Sequence, residues 1–133
     1  MQKLVITLYS DDSAVRKTVI AALGKQLDKD LPIHEIKEFA TADALRLYVD
    51  SKKQVDLFIL DAEAVPEGGM GVARQLKDEV FNCPPVLLIT ARASDNWLAT
   101  WSKAEATVLH PIDPFTIASK CASLLKANSA LAN

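Results

Sequence analysis

Four places in this 133-residue chain carry side chains that could act together: Ser10, Asp11 and Asp12 after "LVITLY", Asp61 after "LFIL", Thr90 after "VLLI", and His110 after "ATVL". Each group follows a short apolar run. Carboxylates that converge repel, and protonation or a bound cation relieves the repulsion. A small set of hard oxygen ligands suits Mg²⁺ (or Mn²⁺), which keeps several waters and accepts phosphate oxygens. The chemistry such a set can do is phosphoryl transfer. Plainer roles stay open for most of these residues. Asp11 and Asp12 also suit the N-cap of a following helix, Thr90 is a β-branched residue at a strand end, and His110 precedes a proline whose turn fixes local geometry. Asp61 is the hardest to explain away, because an acid ending so apolar a strand needs a partner.

The elements that must position these residues alternate regularly. Period and composition predict strands at Lys3 to Tyr9, Pro32 to Lys37, Val55 to Leu60, Pro85 to Thr90 and Ala106 to Leu109. Helices are predicted at Ser13 to Leu27, from Thr41 onward, at Met70 to Val80, Ser94 to Lys103 and Asp113 to Lys126. Such alternation is the pattern of an open, mostly parallel sheet with helices on both faces. Near-continuous apolar strands agree with burial on both sides. In doubly wound sheets ligands bind beyond the carboxyl ends of the strands, which is where the polar residues fall.

Half of the residues are hydrophobic, enough for one domain with a substantial core; the domain is expected to span 1–127, with 128–133 as a flexible C-terminal tail. A net charge of -2 gives no basic field for nucleic acid or anionic lipid, so neither is expected as a direct partner. Cys83 and Cys121 lack CxxC or ligand spacing and read as small hydrophobes in a reducing compartment. With no signal peptide and no segment of membrane-spanning length read from the sequence, a cytoplasmic location is expected. His34 has no acidic or hydroxyl partner at a matching position and reads as structural or solvent-facing.

Taken together, the motifs resemble the receiver domain of bacterial two-component response regulators. "SDDSAVRKTVIAAL" is similar to the family's acidic opening, "LFILDAEAVPEGGMGVARQLK" to its phosphoacceptor segment with Gly69 at the loop glycine, "PPVLLITA" to the strand ending Thr-Ala, and "ATVLHPIDPF" to the strand that normally ends Lys-Pro-Phe. The resemblance implies a flavodoxin-like (βα)5 fold with a five-stranded parallel sheet in the order 2-1-3-4-5. It also implies that Asp61 accepts a phosphoryl group from a histidine kinase or phosphotransfer protein. Asp11, Asp61 and the backbone carbonyl of Glu63 would hold Mg²⁺ or Mn²⁺, with Asp12 a further candidate, while Thr90 and the residue at His110 would hold the phosphoryl group. Signal output in this family runs through the face of the fourth helix, fifth strand and fifth helix, where Trp97 and Trp101 would serve a homodimer or partner, or else pack in the core.

Several positions depart from that pattern. Ser10 stands where the first acid is expected, His110 replaces the lysine, Thr107 replaces the switch aromatic, and the loop proline falls one place late at Pro66, behind Val65. The fourth-helix region is about two residues short of the usual spacing of this fold. A neutral imidazole still offers one N–H donor, so His110 can substitute for the lysine in part. These departures also admit a phosphorylation-independent interaction module. A haloacid-dehalogenase-type phosphatase is the enzymatic rival, but that family wants Asp-x-Asp, and "DAE" supplies Glu63; no enzymatic turnover is expected.

Overall fold

The computed structural model describes residues 3–92 and 100–132. Its strands are β1 (Leu4–Tyr9), β2 (His34–Phe39), β3 (Leu57–Asp61), β4 (Val86–Thr90) and β5 (Ala106–Leu109). The helices are α1 (Ser13–Leu23), α2 (Ala42–Asp50), α3 (Gly69–Glu79), the helical residues 100–102, labelled α4, and α5 (Pro114–Ala132). All strand pairs are parallel, in the order β2-β1-β3-β4-β5. This is the expected doubly wound sheet.

The pleat sends alternate residues to opposite faces. On one face Ile6, Leu8, Leu57, Ile59, Leu87, Ile89 and Val108 pack with Val19 and Leu23 of α1 and with Ile117, Cys121 and Leu125 of α5. On the other, Tyr9, Phe58, Leu60, Val86 and Leu88 pack with Ala42 and Leu45 of α2 and with Val72, Ala73 and Leu76 of α3. β3 and β4 are buried along their whole length, which is why they read as unbroken apolar runs. Burial pushes the Cys121 thiol up to about 12, so this cysteine acts as a core hydrophobe, while Cys83 is half-buried.

Several predicted boundaries shift, each for a local reason. α1 ends at Leu23 rather than Leu27 because Gly24 takes a positive φ of 57° and its N–H caps the Ile20 carbonyl. Leu27 still packs against the core from the connecting loop. β2 starts and ends two residues later than predicted, its span fixed by pairing from Leu4↔His34 to Tyr9↔Phe39. α2 starts at Ala42, one residue after the predicted opening, because Thr41 is its N-cap and its side chain accepts from the Ala44 N–H. Of the predicted fourth helix, residues 93–99 lie outside the described residues. α5 runs on to Ala132, through residues assigned by sequence to a tail.

Two buried polar side chains sit within this core without full pairing. Thr7, in the middle of β1, is wholly buried and its hydroxyl has no partner among the described residues. His34 is buried rather than solvent-facing; its Nε2 lies 2.7 Å from the Gly24 carbonyl, and its Nδ1 has no partner among the described residues. The ring therefore donates through Nε2–H. Burial lowers the His34 pKa, opposed by the bond to Gly24.

Thr7→Val removes an unsatisfied hydroxyl at nearly constant shape and should stabilise the fold by about 1 kcal/mol, read as a higher urea midpoint at unchanged slope. For His34 the folded-state pKa lies below the unfolded one, so its contribution to stability is intact above about pH 6.5 and is lost as pH falls below that value. Between about pH 7.5 and about pH 5.5 the native chain should lose more unfolding free energy than His34→Gln, and equal losses would count against this assignment.

Candidate functional site

Strand parity decides which polar residues meet. Ser10 continues the alternation of Ile6 and Leu8, Asp61 that of Leu57 and Ile59, and His110 that of Ala106 and Val108, so all three belong to the face that packs on α1 and α5. Parallel strands place these ends on one rim. There the Ser10 hydroxyl donates to Asp61 Oδ2 at 2.7 Å, and His110 Nε2 lies 3.2 Å from Asp61 Oδ1. The Glu63 N–H donates to the same Oδ1 at 2.9 Å. Asp61 is only 3% exposed, and these three donors take the place of the water it has lost.

The acids after β1 divide their work. Asp12 is the N-cap of α1, its side chain accepting from the Ala14 N–H at 2.9 Å, and its own N–H donates to Ser10 Oγ at 3.1 Å. Asp11 is exposed and reaches across to the loop after β3, where its Oδ1 accepts the Val65 N–H at 3.3 Å. Asp11, Asp12, Asp61 and Glu63 nevertheless line one open cleft of about 400 Å³, together with Val15, Ala91 and His110. Residues 11 and 61, far apart in the chain, line the same cleft.

Thr90 is buried at the tip of β4, on the parity of Val86 and Leu88. Its carbonyl accepts the His110 N–H at 2.9 Å, and Ala91, not Thr90, lines the cleft. Trp97 lies outside the described residues. Trp101 is half-exposed rather than in the core, with the Arg74 guanidinium 5.2 Å from its ring centroid and Arg74 Nη1 donating to its carbonyl at 2.9 Å. Val65 is exposed, and both the Val65-Pro66 and His110-Pro111 peptide bonds are cis.

Among the described residues no group of three or more His, Cys, Asp or Glu side chains is gathered to hold a metal. The set that suits Mg²⁺ or Mn²⁺ here is smaller: the carboxylates of Asp11 and Asp61 on a shared open cleft that Glu63 also lines. Its donors are all oxygen and its mouth admits water, which fits a cation that retains part of its hydration shell.

Arg16 was given no role from the sequence, and Ser10 was named at the rim but not as a partner of Asp61. Arg16 donates through Nη1 to the Ser10 carbonyl at 2.7 Å and through Nε to Glu38 at 3.2 Å, tying the end of β1 to β2. Ser10 was read as a missing acid, yet it is a direct partner of Asp61. Its place on the Leu8 parity, at a strand end opposite Asp61, was the available signal.

No protein-family model matches the chain. An uncharacterised response regulatory protein of Mycobacterium tuberculosis is 49% identical over 124 residues, spanning 93% of this chain and 92% of that protein, with the same figures in a second strain. Among solved structures, the CheY-like response regulator receiver domain protein from Methanospirillum hungatei has a TM-score of 0.74 at 17% identity, covering 97% of this chain and 98% of that one. Response regulator DrrB of Thermotoga maritima has a TM-score of 0.79 at 17% identity, over 95% of this chain and 54% of its own. The fold is that of a receiver domain. The chain belongs to the response-regulator family, which sets the haloacid-dehalogenase reading aside.

Ser10→Ala takes one of three donors from a buried carboxylate and should cost about 1–3 kcal/mol, measured by chemical unfolding; a change within experimental error would mean that water replaces the hydroxyl freely.

Proposed function

We propose that Asp61 is a phosphoacceptor, taking a phosphoryl group from the phosphohistidine of a histidine kinase or phosphotransfer protein. The observation that carries this reading is a buried carboxylate at the floor of an open, acid-lined cleft, beyond the carboxyl ends of a wound sheet. Asp61 supplies the attacking oxygen, and the phosphorus–nitrogen bond of the donor breaks as the new phosphorus–oxygen bond forms. The Ser10 hydroxyl and the Glu63 N–H orient the carboxylate. His110, already within reach of Asp61, offers an N–H to the incoming oxygens in the role a lysine would fill. Thr90, one residue before the cleft wall, is the second candidate for that role. Asp11, Asp61 and the Glu63 carbonyl would hold Mg²⁺ or Mn²⁺, with Asp12 kept to its capping bond; the cation supplies neutralisation of the charge that develops on the phosphoryl oxygens.

In this reading the chain works in the cytoplasm, and none of its described helices is long and apolar enough to cross a membrane. Output is assigned to the face of α4, β5 and α5, where Trp101, Leu109 and Phe115 are exposed. A second reading, a phosphorylation-independent interaction module, is favoured by one observation: both oxygens of Asp61 already have protein donors, so the carboxylate is stable without a cation or phosphoryl group.

Incubation with acetyl phosphate and Mg²⁺ followed by intact mass measurement separates the two. The phosphoacceptor reading expects one added phosphoryl group on the native chain and none on Asp61→Asn. No adduct on the native chain, with the same receiver-fold stability in both, selects the interaction module.

A further inference from the structure

The loop at 62–68 leaves Asp61 and immediately returns to it. Besides the Glu63 N–H on Oδ1, the Ala64 N–H donates to the Asp61 carbonyl at 3.1 Å, and the Ala62 N–H donates to the Ile89 carbonyl at 2.8 Å. The far end of the loop is held differently. Tyr9, whose parity turns it toward α2 and α3, is fully buried and donates from its hydroxyl to the Glu67 carbonyl at 2.5 Å. The Glu67 carboxylate receives both arms of the Arg46 guanidinium, Nη1 at 2.8 Å to Oε1 and Nη2 to Oε2. Arg46 is fixed in turn by Gln75 Oε1 at 2.9 Å from α3 and by Asp43 Oδ1 at 3.2 Å from its own helix.

A two-armed guanidinium–carboxylate pair fixes direction as well as distance. Here it joins α2 to a loop that no residue of α2 otherwise reaches through a side-chain hydrogen bond among those described. Neither Arg46 nor Glu67 lines the cleft. The pair is partly exposed, at 29% and 44% of the side chains, so its Coulomb attraction is screened and its value for global stability is small. Its direction is what matters to the loop. With the Tyr9 hydroxyl fixing the Glu67 backbone and Arg46 fixing its side chain, the segment between Asp61 and Gly68 is spanned at both ends.

We propose that Arg46 and Glu67 are positioning residues for Asp61: their pair latches the 62–68 loop so that the Glu63 backbone stays beside the carboxylate. The latch rests on the phosphoacceptor reading only where it predicts phosphoryl uptake; the loop geometry stands apart from it.

Two readouts test it on the full chain. Amide hydrogen exchange of Glu63 and Val65, followed by NMR with neither metal nor phosphodonor, should quicken about tenfold in Arg46→Met and in Glu67→Gln, while Ile59 and Leu88 keep native protection. Because the two residues act as one pair, the double variant should be no worse than either single one. Phosphoryl uptake from acetyl phosphate with Mg²⁺ should slow roughly tenfold in all three, within the loss that small misplacement of a reacting group produces. Unchanged exchange at Glu63 and Val65, additive effects in the double variant, or quickened exchange with undiminished uptake would each overturn the proposal. If the native chain takes up no phosphoryl group while exchange quickens as described, the phosphoacceptor reading fails and the latch stands as the holder of the loop.

Discussion

A carboxylate held away from water must be given donors by the protein around it, and at Asp61 this requirement organises the rim of the sheet. Leaving such a charge unpaired costs more than almost any other local defect. Three segments converge to avoid that cost: the end of β1 through Ser10, the start of the 62–68 loop through Glu63, and the end of β5 through His110. They are distant in sequence but meet on the rim, because every strand runs the same way, β1 is a direct neighbour of β3, and His110 reaches Asp61 past the end of β4. The fold brings the acceptor and its donors together, and the acceptor in turn rewards that arrangement.

The loop after β3 meets a second constraint, which is space. A Cβ on Gly69 would stand 2.8 Å from both the carbonyl carbon and oxygen of Asp61, and one on Gly68 would stand 2.7 Å from the Ala62 carbonyl oxygen. Both approaches are to backbone, which cannot step aside as a side chain end would. The chain can therefore double back against Asp61 only with glycine at these positions, the N-cap and first residue of α3. Hydrogen bonding draws the loop toward Asp61, while the two glycines permit it to arrive. The Tyr9 hydroxyl closes the far side.

The sheet was legible because β3 and β4 are apolar without interruption, a signal that comes from burial on two faces and survives small errors in boundary. The order of the strands was not in the periodicity; it came from the resemblance. Helix ends were less legible, since Gly24 stops α1 through a backbone angle while Leu27 goes on supplying an apolar residue in register with the helix. At the site, Asp61 stood out because its surroundings in sequence are so apolar. Ser10 was named at the end of β1 but not as the partner of Asp61, although parity along β1 places the two on the same face. The Arg46–Glu67 pair had no sequence signal at all: the two residues lie on different elements, and only tertiary packing makes them neighbours.

Ser10 and His110 are best understood together. Against the acid and lysine that the family resemblance leads one to expect, serine removes one negative charge and histidine, counted neutral, removes one positive charge, so the formal balance around Asp61 is unchanged. An acid at position 10 would set a second carboxylate within hydrogen-bonding distance of Asp61 Oδ2, where the hydroxyl now donates at 2.7 Å, and without a lysine nothing fixed would offset the repulsion. The serine thus relieves the repulsion that a second acid would create beside a neutral histidine. What both residues supply is a hydrogen directed at Asp61, one to each oxygen, and that is the feature the buried carboxylate requires whether or not a cation is bound beside it.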